Sequence, residues 1–191
     1  AVVLDDGSVA GLAEVAVDVR AAPNGAVELE PEALWQSVVD AGRRALTEAG
    51  NPGLAAIGLA NQGETVLAWD RATGAPHGAA MVWQDRRSSV VCDRLAVHGP
   101  RLAEITGLEL DPYFVAPKVA WLRDHGAVDP RRHAITTTDT WLLHRLCGAF
   151  VTDVATAGRT LLLDLDTGEW SDEACAVFEI DPGALPTVVP N

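Results

Sequence analysis

The chain has 191 residues, of which 48% are hydrophobic and 21% charged, and its net charge is −13. That length fits one domain or one large part of a domain, able to bury roughly 70% of its unfolded surface. The acidity, with the basic pairs Arg43–Arg44, Arg86–Arg87 and Arg131–Arg132 scattered along the chain, argues against nucleic acid or an anionic membrane surface as a partner.

Ala1–Asp5 already reads as a strand, with no starting methionine, so the sequence is expected to begin inside a fold. Asp6-Gly7-Ser8 is a turn signal, and Val9–Val19 is the expected second strand of a hairpin, with Val15, Val17 and Val19 alternating. Pro31 opens a helix at a position where its missing N–H costs nothing. Leu34, Trp35, Val38, Val39, Ala45 and Leu46 form its apolar stripe, and Gly50-Asn51-Pro52-Gly53 ends it. Ala55–Ala60 reads as a buried strand. Thr65–Asp70 and Ala79–Gln84 flank the turn Arg71–Gly74 and predict a second hairpin.

Further helices are expected over Ser88–Val97, Pro100–Thr106, Ala116–His125 and Thr140–Leu146, the last capped by Asp139 or Thr138. Phe150–Thr152 and Thr160–Asp164 are strand candidates. Ser171 caps a helix from Asp172 to Phe178, and Asp181–Asn191 is expected to be irregular. Hairpins beside helical crossovers predict a layered α/β domain with a mixed sheet and flanking helices. Neither a GxxxxGK[ST] nor a GxGxxG motif occurs, so a P-loop or Rossmann nucleotide site is not supported.

Cys92, Cys147 and Cys175 are widely spaced and include no CxxC pair, which predicts reduced thiols and a cytoplasmic protein rather than a zinc site. Cys147 and Cys175 sit in apolar helical patterns and are read as packing residues. No apolar run approaches the ~20 residues of a membrane span.

Four polar clusters interrupt the apolar pattern: Asn61-Gln62-Gly63-Glu64, Trp83-Gln84-Asp85-Arg86-Arg87, Asp111-Pro112-Tyr113-Phe114 and Thr136–Thr140. Carboxylates, amides and aromatic faces are the mixture a sugar or polyol site requires. Carboxylates and amides pair with hydroxyls, while a ring covers the C–H side of the carbon chain. An unmade buried partner costs about 1–3 kcal/mol, so such sites discriminate well. Each cluster also has an ordinary reading: Glu64 as a solvated turn acid, Trp83 as core, Tyr113 as a packed ring with a wet hydroxyl, and Asp139 as a helix cap.

The ordered set Gly58-Leu59-Ala60-Asn61-Gln62-Gly63-Glu64-Thr65, Trp69-Asp70, Val82-Trp83-Gln84-Asp85-Arg86-Arg87, Thr106-Gly107-Leu108, Asp111-Pro112-Tyr113-Phe114 with Lys118, Thr138-Asp139-Thr140-Trp141-Leu142, Val151-Thr152-Asp153, Gly158-Arg159-Thr160 and Thr167-Gly168-Glu169-Trp170 resembles the FGGY carbohydrate kinases, and glycerol kinases most closely. Each motif is weak alone; the ordered set, which spans nearly the whole chain, is specific. The resemblance implies a ribonuclease-H-like first domain of the actin and hexokinase superfamily, which holds the polyol, and a second domain that supplies most of the ATP site. By the same resemblance the substrate contacts are Gly63, Glu64, Trp83 and Tyr113, while Asp139, Asp153 and Arg159 cap or brace loops around the cleft.

Gly63 departs from the pattern. Glycerol kinases carry an arginine there, with fixed donors for terminal hydroxyls. Glycine implies a pocket that takes something larger than glycerol or holds it differently. Ala116-Pro117-Lys118 and Trp121-Leu122-Arg123 also resemble xylulokinases, which carry Met-His where this chain has Gly63-Glu64.

In this family the catalytic aspartate lies further along the first domain than residue 191, and the Asp-x-Gly-Thr phosphate turn precedes the strand at Ala1. Residues 1–191 are therefore expected to hold substrate contacts without base, phosphate turn or nucleotide domain, and to be inactive alone. ATP and Mg2+ belong to the longer protein. Neither Asp85 nor Glu64 is assigned as base. The alternatives are a non-catalytic sugar-binding module of the same fold and a purely structural actin-like domain. Homo-oligomerisation is left open.

Overall fold

The computed structural model describes residues 1–126 and 128–191. Its centre is a five-stranded sheet of β3 (Val19–Ala21), β4 (Val27–Leu29), β6 (Ala80–Met81), β5 (Val66–Asp70) and β7 (His133–Thr137), in that order. All four pairings in it are antiparallel. β1 (Val2–Val3) and β2 (Val9–Gly11) form a separate antiparallel pair, and β8 (Val151–Asp153) and β9 (Thr187–Val189) a parallel one. The expected mixture of pairings is thus divided among three sheets.

β5 is buried along its whole length, and its period-two alternation sorts side chains onto the two faces. Leu67 and Trp69 pack with Leu29, Val82, Trp141 and Leu142. That layer lies under α1 (Pro31–Glu48) and α5 (Thr138–Cys147). Val66 joins Met81 and the α4 (Val115–His125) residues Val115, Val119 and Leu122 on the opposite face. A further core unites α2 (Ser89–Leu95), α3 (Gly99–Thr106) and α7 (Asp172–Val177) through Val91, Leu102, Ile105, Cys175 and Phe178.

The second hairpin forms as expected. Asp70 Oδ1 accepts from the amides of Ala72 and Thr73, and Gly74 closes the turn with φ of 72°. The Arg132 guanidinium on Asp70 holds that carboxyl well below the usual range. The first hairpin forms only in part. Asp6 Oδ1 accepts from the amide and hydroxyl of Ser8, but ladder pairing stops at Gly11 and resumes at Val19. Between them the residues still alternate in exposure, as the valine spacing implied.

Three expectations are corrected. Ala55–Ala60 joins no ladder among the described residues, and Ile57 is 71% exposed. An apolar run becomes a buried strand only where ladders flank it, and here none does. Thr160–Asp164 is a turn followed by a single bridge from Leu163 to Trp170. Between β8 and that turn, the Thr156 amide donates to Asp153, which caps a short helix α6 (Val154–Ala157). The C-terminal stretch, expected to be irregular, holds a turn of 3-10 helix at Pro182–Ala184 and β9.

Cys175 is buried as expected, but Cys147 is exposed at the end of α5. All three cysteines are free. No helix among the described residues is long and apolar enough to cross a membrane.

Candidate functional site

The register of the central sheet gathers the polar clusters. Val66 pairs with Met81 on one side and with Thr137 on the other. Residues that precede β5, follow β6 and follow β7 therefore emerge at one end of the sheet. These are the segments holding Asn61–Glu64, Trp83–Arg87 and Thr138–Asp139. The Asp111–Phe114 loop reaches the same end because α4 starts there, with the Ala116 amide donating to Thr160 O.

Glu64 is buried, and its Oε1 accepts from Arg159 Nε at 2.6 Å. The Glu64 carboxylate holds the Arg159 guanidinium further above its ordinary pKa. Arg159 Nη2 donates to Tyr113 Oη at 3.4 Å, and its guanidinium carbon lies 5.5 Å from the Tyr113 ring centroid and 5.4 Å from that of Phe114. The rings of Trp83 and Tyr113 meet edge-on, centroids 5.6 Å apart, and Trp83 is 37% exposed. Gly63 backs this group: a Cβ built on it would lie 3.7 Å from Arg159 Cγ and 3.8 Å from Arg159 Cβ. All four expected site residues thus meet in one wall, with Arg159 at its centre.

Two devices stiffen that wall. Asp85, fully buried, accepts from the Val27 amide at 2.8 Å and from Arg87 Nη2 at 2.7 Å. Arg87 also reaches Glu28 at 2.7 Å and lies over Trp121. This ion pair fixes the segment that presents Trp83, and every Asp85 oxygen is engaged.

Lys118, equally buried, donates to the carbonyls of Pro112, Tyr113 and Phe114. Asp111 Oδ1 accepts from the Tyr113 amide at 2.7 Å. The loop carrying Tyr113 is therefore tied at four points. Sequence reasoning listed Lys118 only as a motif residue. The available signal was a lysine amid the apolar residues of a buried helix, where a charge needs partners.

Asp139 is not the cap of α5. Thr137 holds that position without a side-chain bond. The carboxylate of Asp139 is buried, accepting from Thr152 Oγ1 at 2.7 Å and Asn61 Nδ2 at 3.2 Å. It braces the Asn61 segment, so the bracing role holds and the capping role does not. Asp153 does cap, accepting from the Thr156 amide at 2.8 Å. A separate apolar groove of about 320 Å3 runs beside this network, between Val17, Val19, Leu34 and Val38 and the Leu59–Gln62 segment.

Comparison with known proteins decides the family. The family model described as "FGGY family of carbohydrate kinases, N-terminal domain" matches residues 1–191. The chain belongs to the FGGY family of carbohydrate kinases. As an FGGY N-terminal domain it is 44% identical over 194 residues to glycerol kinase of Methylobacterium nodulans, covering 96% of this chain and 39% of that protein. It is 47% identical over 174 residues to glycerol kinase of Cereibacter sphaeroides, covering 86% and 35%.

Among solved structures it superposes on Plasmodium falciparum glycerol kinase with ADP at a TM-score of 0.83 and 29% identity, covering 91% of this chain and 37% of that one. It matches the fold of ligand-bound xylulose kinase of Lactobacillus acidophilus at 0.81 and 20%, covering 92% and 36%. The ribonuclease-H-like, actin/hexokinase-type fold expected from sequence is thus the fold of this FGGY domain. The chain spans between a third and two fifths of the length of these relatives.

No three His, Cys, Asp or Glu among the described residues gather into a set that could hold a metal ion.

Proposed function

We propose that this domain is the substrate-binding part of an ATP-dependent kinase that transfers the γ-phosphoryl group to a hydroxyl of a small polyol or sugar. The observation that carries the reading is the convergence of Glu64, Trp83 and Tyr113 with the backbone of Gly63 on one wall. A buried carboxylate accepts hydrogen bonds from hydroxyls, and two aromatic rings cover carbon–hydrogen faces. Glu64, Trp83, Tyr113 and Gly63 are the proposed substrate contacts.

Phosphoryl transfer further requires a base, a phosphate cradle and a metal to offset charge. We assign these to parts of the protein outside residues 1–191, as we do the ATP and Mg2+ sites. No step is placed on Asp85, whose oxygens are committed to Arg87 and the backbone.

The lack of a side chain at Gly63, where a Cβ would meet the Arg159 and Thr156 side chains at 3.7–4.0 Å, supports a substrate larger than glycerol or held differently from it. The test is ATP-dependent ADP release by the longer protein with glycerol, erythritol, ribitol and D-xylulose. Turnover with a larger polyol or ketulose above that with glycerol is expected. Efficient turnover of glycerol alone would contradict the size argument, and turnover of none would contradict the kinase reading. Binding without turnover would instead favour the non-catalytic sugar-binding module.

A further inference from the structure

The residue at the centre of the wall is one to which the sequence assigned only a bracing role. Arg159 follows α6 in a turn fixed on both sides: its amide donates to Thr156 O, the Thr160 hydroxyl donates to Ala157 O, and Thr160 O accepts from the Ala116 amide. The side chain leaves this turn, passes the bare α-carbon of Gly63, and sets its guanidinium between Glu64 and the rings of Tyr113 and Phe114.

Two features distinguish this arrangement from an ordinary ion pair. The first is uneven burial: the Glu64 side chain is 9% exposed while that of Arg159 is 44% exposed. The carboxylate is the floor and the guanidinium the surface. The second is unused donor capacity. A guanidinium has five N–H groups. Nε is spent on Glu64 and Nη2 makes one long bond to Tyr113 Oη. Nη1 has no hydrogen-bond partner among the described residues.

A rigid planar donor is thus held in place by a buried anion, set against two aromatic rings, and left with spare N–H groups on a side chain 44% exposed. Glycine at 63 keeps that position clear. A Cβ there would make only ordinary contacts, but a long side chain would compete with the guanidinium for the same space.

We propose that Arg159 is a specificity-determining, ligand-contacting residue of this site, whose guanidinium donates to a hydroxyl of the bound polyol or sugar. The proposal rests on the substrate-site reading above. It adds that the cationic donor of the site comes from the turn after α6, reached through the gap left by Gly63. Glu64 then has two roles, as acceptor and as the anchor of its neighbour's donor fork.

The experiment is calorimetric titration with matched probes that differ by one hydroxyl: glycerol against propane-1,2-diol, and D-xylulose against 1-deoxy-D-xylulose. It compares the wild-type protein with Arg159→Lys and Arg159→Met. Arg159→Lys keeps a positive charge beside Glu64 and so preserves the buried pair, but a point charge cannot reproduce the stacked fork. A lost hydrogen bond to a charged group lowers affinity by about tenfold or more.

The wild type is expected to prefer the full hydroxyl set in at least one probe pair by about that factor. Arg159→Lys is expected to lose most of that preference while melting at nearly the wild-type temperature. A residue that only positioned Glu64 would weaken both members of a pair alike and leave their ratio unchanged. An unchanged ratio in both variants overturns the proposal and leaves the site standing. A wild type that binds none of the four probes overturns the site and this proposal together.

Discussion

Arg159 Nε lies 2.6 Å from Glu64 Oε1 although 95 residues separate them in sequence. The pair joins the turn after α6 to the entrance of β5 and places a cation over the rings of Tyr113 and Phe114. Its asymmetry in exposure makes the two partners unequal under mutation. Glu64→Gln keeps an acceptor for Arg159 and removes a charge. Arg159→Met leaves a buried carboxylate without its cation. In urea unfolding Arg159→Met is expected to cost about 1–2 kcal/mol, discounted for the solvent around the guanidinium, and Glu64→Gln less than about 1 kcal/mol. Equal costs would show that the carboxylate is not desolvated.

Asp85 should be the most sensitive polar position near the wall. It is fully buried and takes two N–H groups of Arg87 as well as the backbone amides of Val27 and Arg87. Asp85→Asn replaces an anion with a group that cannot satisfy those donors, and is expected to cost about 2–4 kcal/mol in chemical denaturation. Because Trp83 precedes it by two residues, the variant should also weaken polyol binding. A cost under 1 kcal/mol would show that Arg87 re-pairs fully with Glu28.

These two positions also mark what could be read from the sequence. The four proposed contact residues came from a motif order, and the sheet register carried them to one end as antiparallel pairing through Val66 requires. Strand and helix periods placed α1, α3, α4 and β5 within a residue or two. Ala55–Ala60 failed because hydrophobicity reports a wish for burial, not the presence of a neighbouring strand. Asp139 failed because a cap and a buried bracket draw on the same residue type, and only the distant Thr152 and Asn61 distinguish them. The role proposed for Arg159 was illegible because it depends on a glycine α-carbon nearly a hundred positions away.

Lys118 gives a pH signature. Burial pushes its ammonium down to about 8, despite the carboxylates of Asp85, Glu64 and Asp111 and the neighbouring Cys92, all of which favour the charge. In the unfolded chain it returns to the ordinary lysine value near ~10.4. Between those values the unfolded state binds more protons than the folded one, so stability from this group rises with pH. Relative to Lys118→Met, the wild type is expected to gain about 3 kcal/mol between pH 7 and 11. The check is paired urea unfolding across that range, where a flat or falling difference would rule out the shift.

Backbone protection should divide the apolar segments. The amides of Val66–Trp69 lie in a buried strand flanked on both sides, while Ile57 and its neighbours join no ladder. Hydrogen exchange on the 191-residue chain is expected to be slow in β5 and near the unprotected rate over Ala55–Leu59. Protection of both segments alike would mean that the second is paired in solution.

The central claim, that Gly63, Glu64, Trp83, Tyr113 and Arg159 form one polyol-binding wall, is tested most directly by titrating isotopically labelled protein with glycerol, ribitol and D-xylulose while following its NMR resonances. Shifts are expected to concentrate in the Gly63 and Glu64 amides, the Trp83 indole, the Tyr113 amide and Arg159 Nε–H. Shifts confined to the groove between Val17 and Leu59, or none with any of the three ligands, would contradict the account.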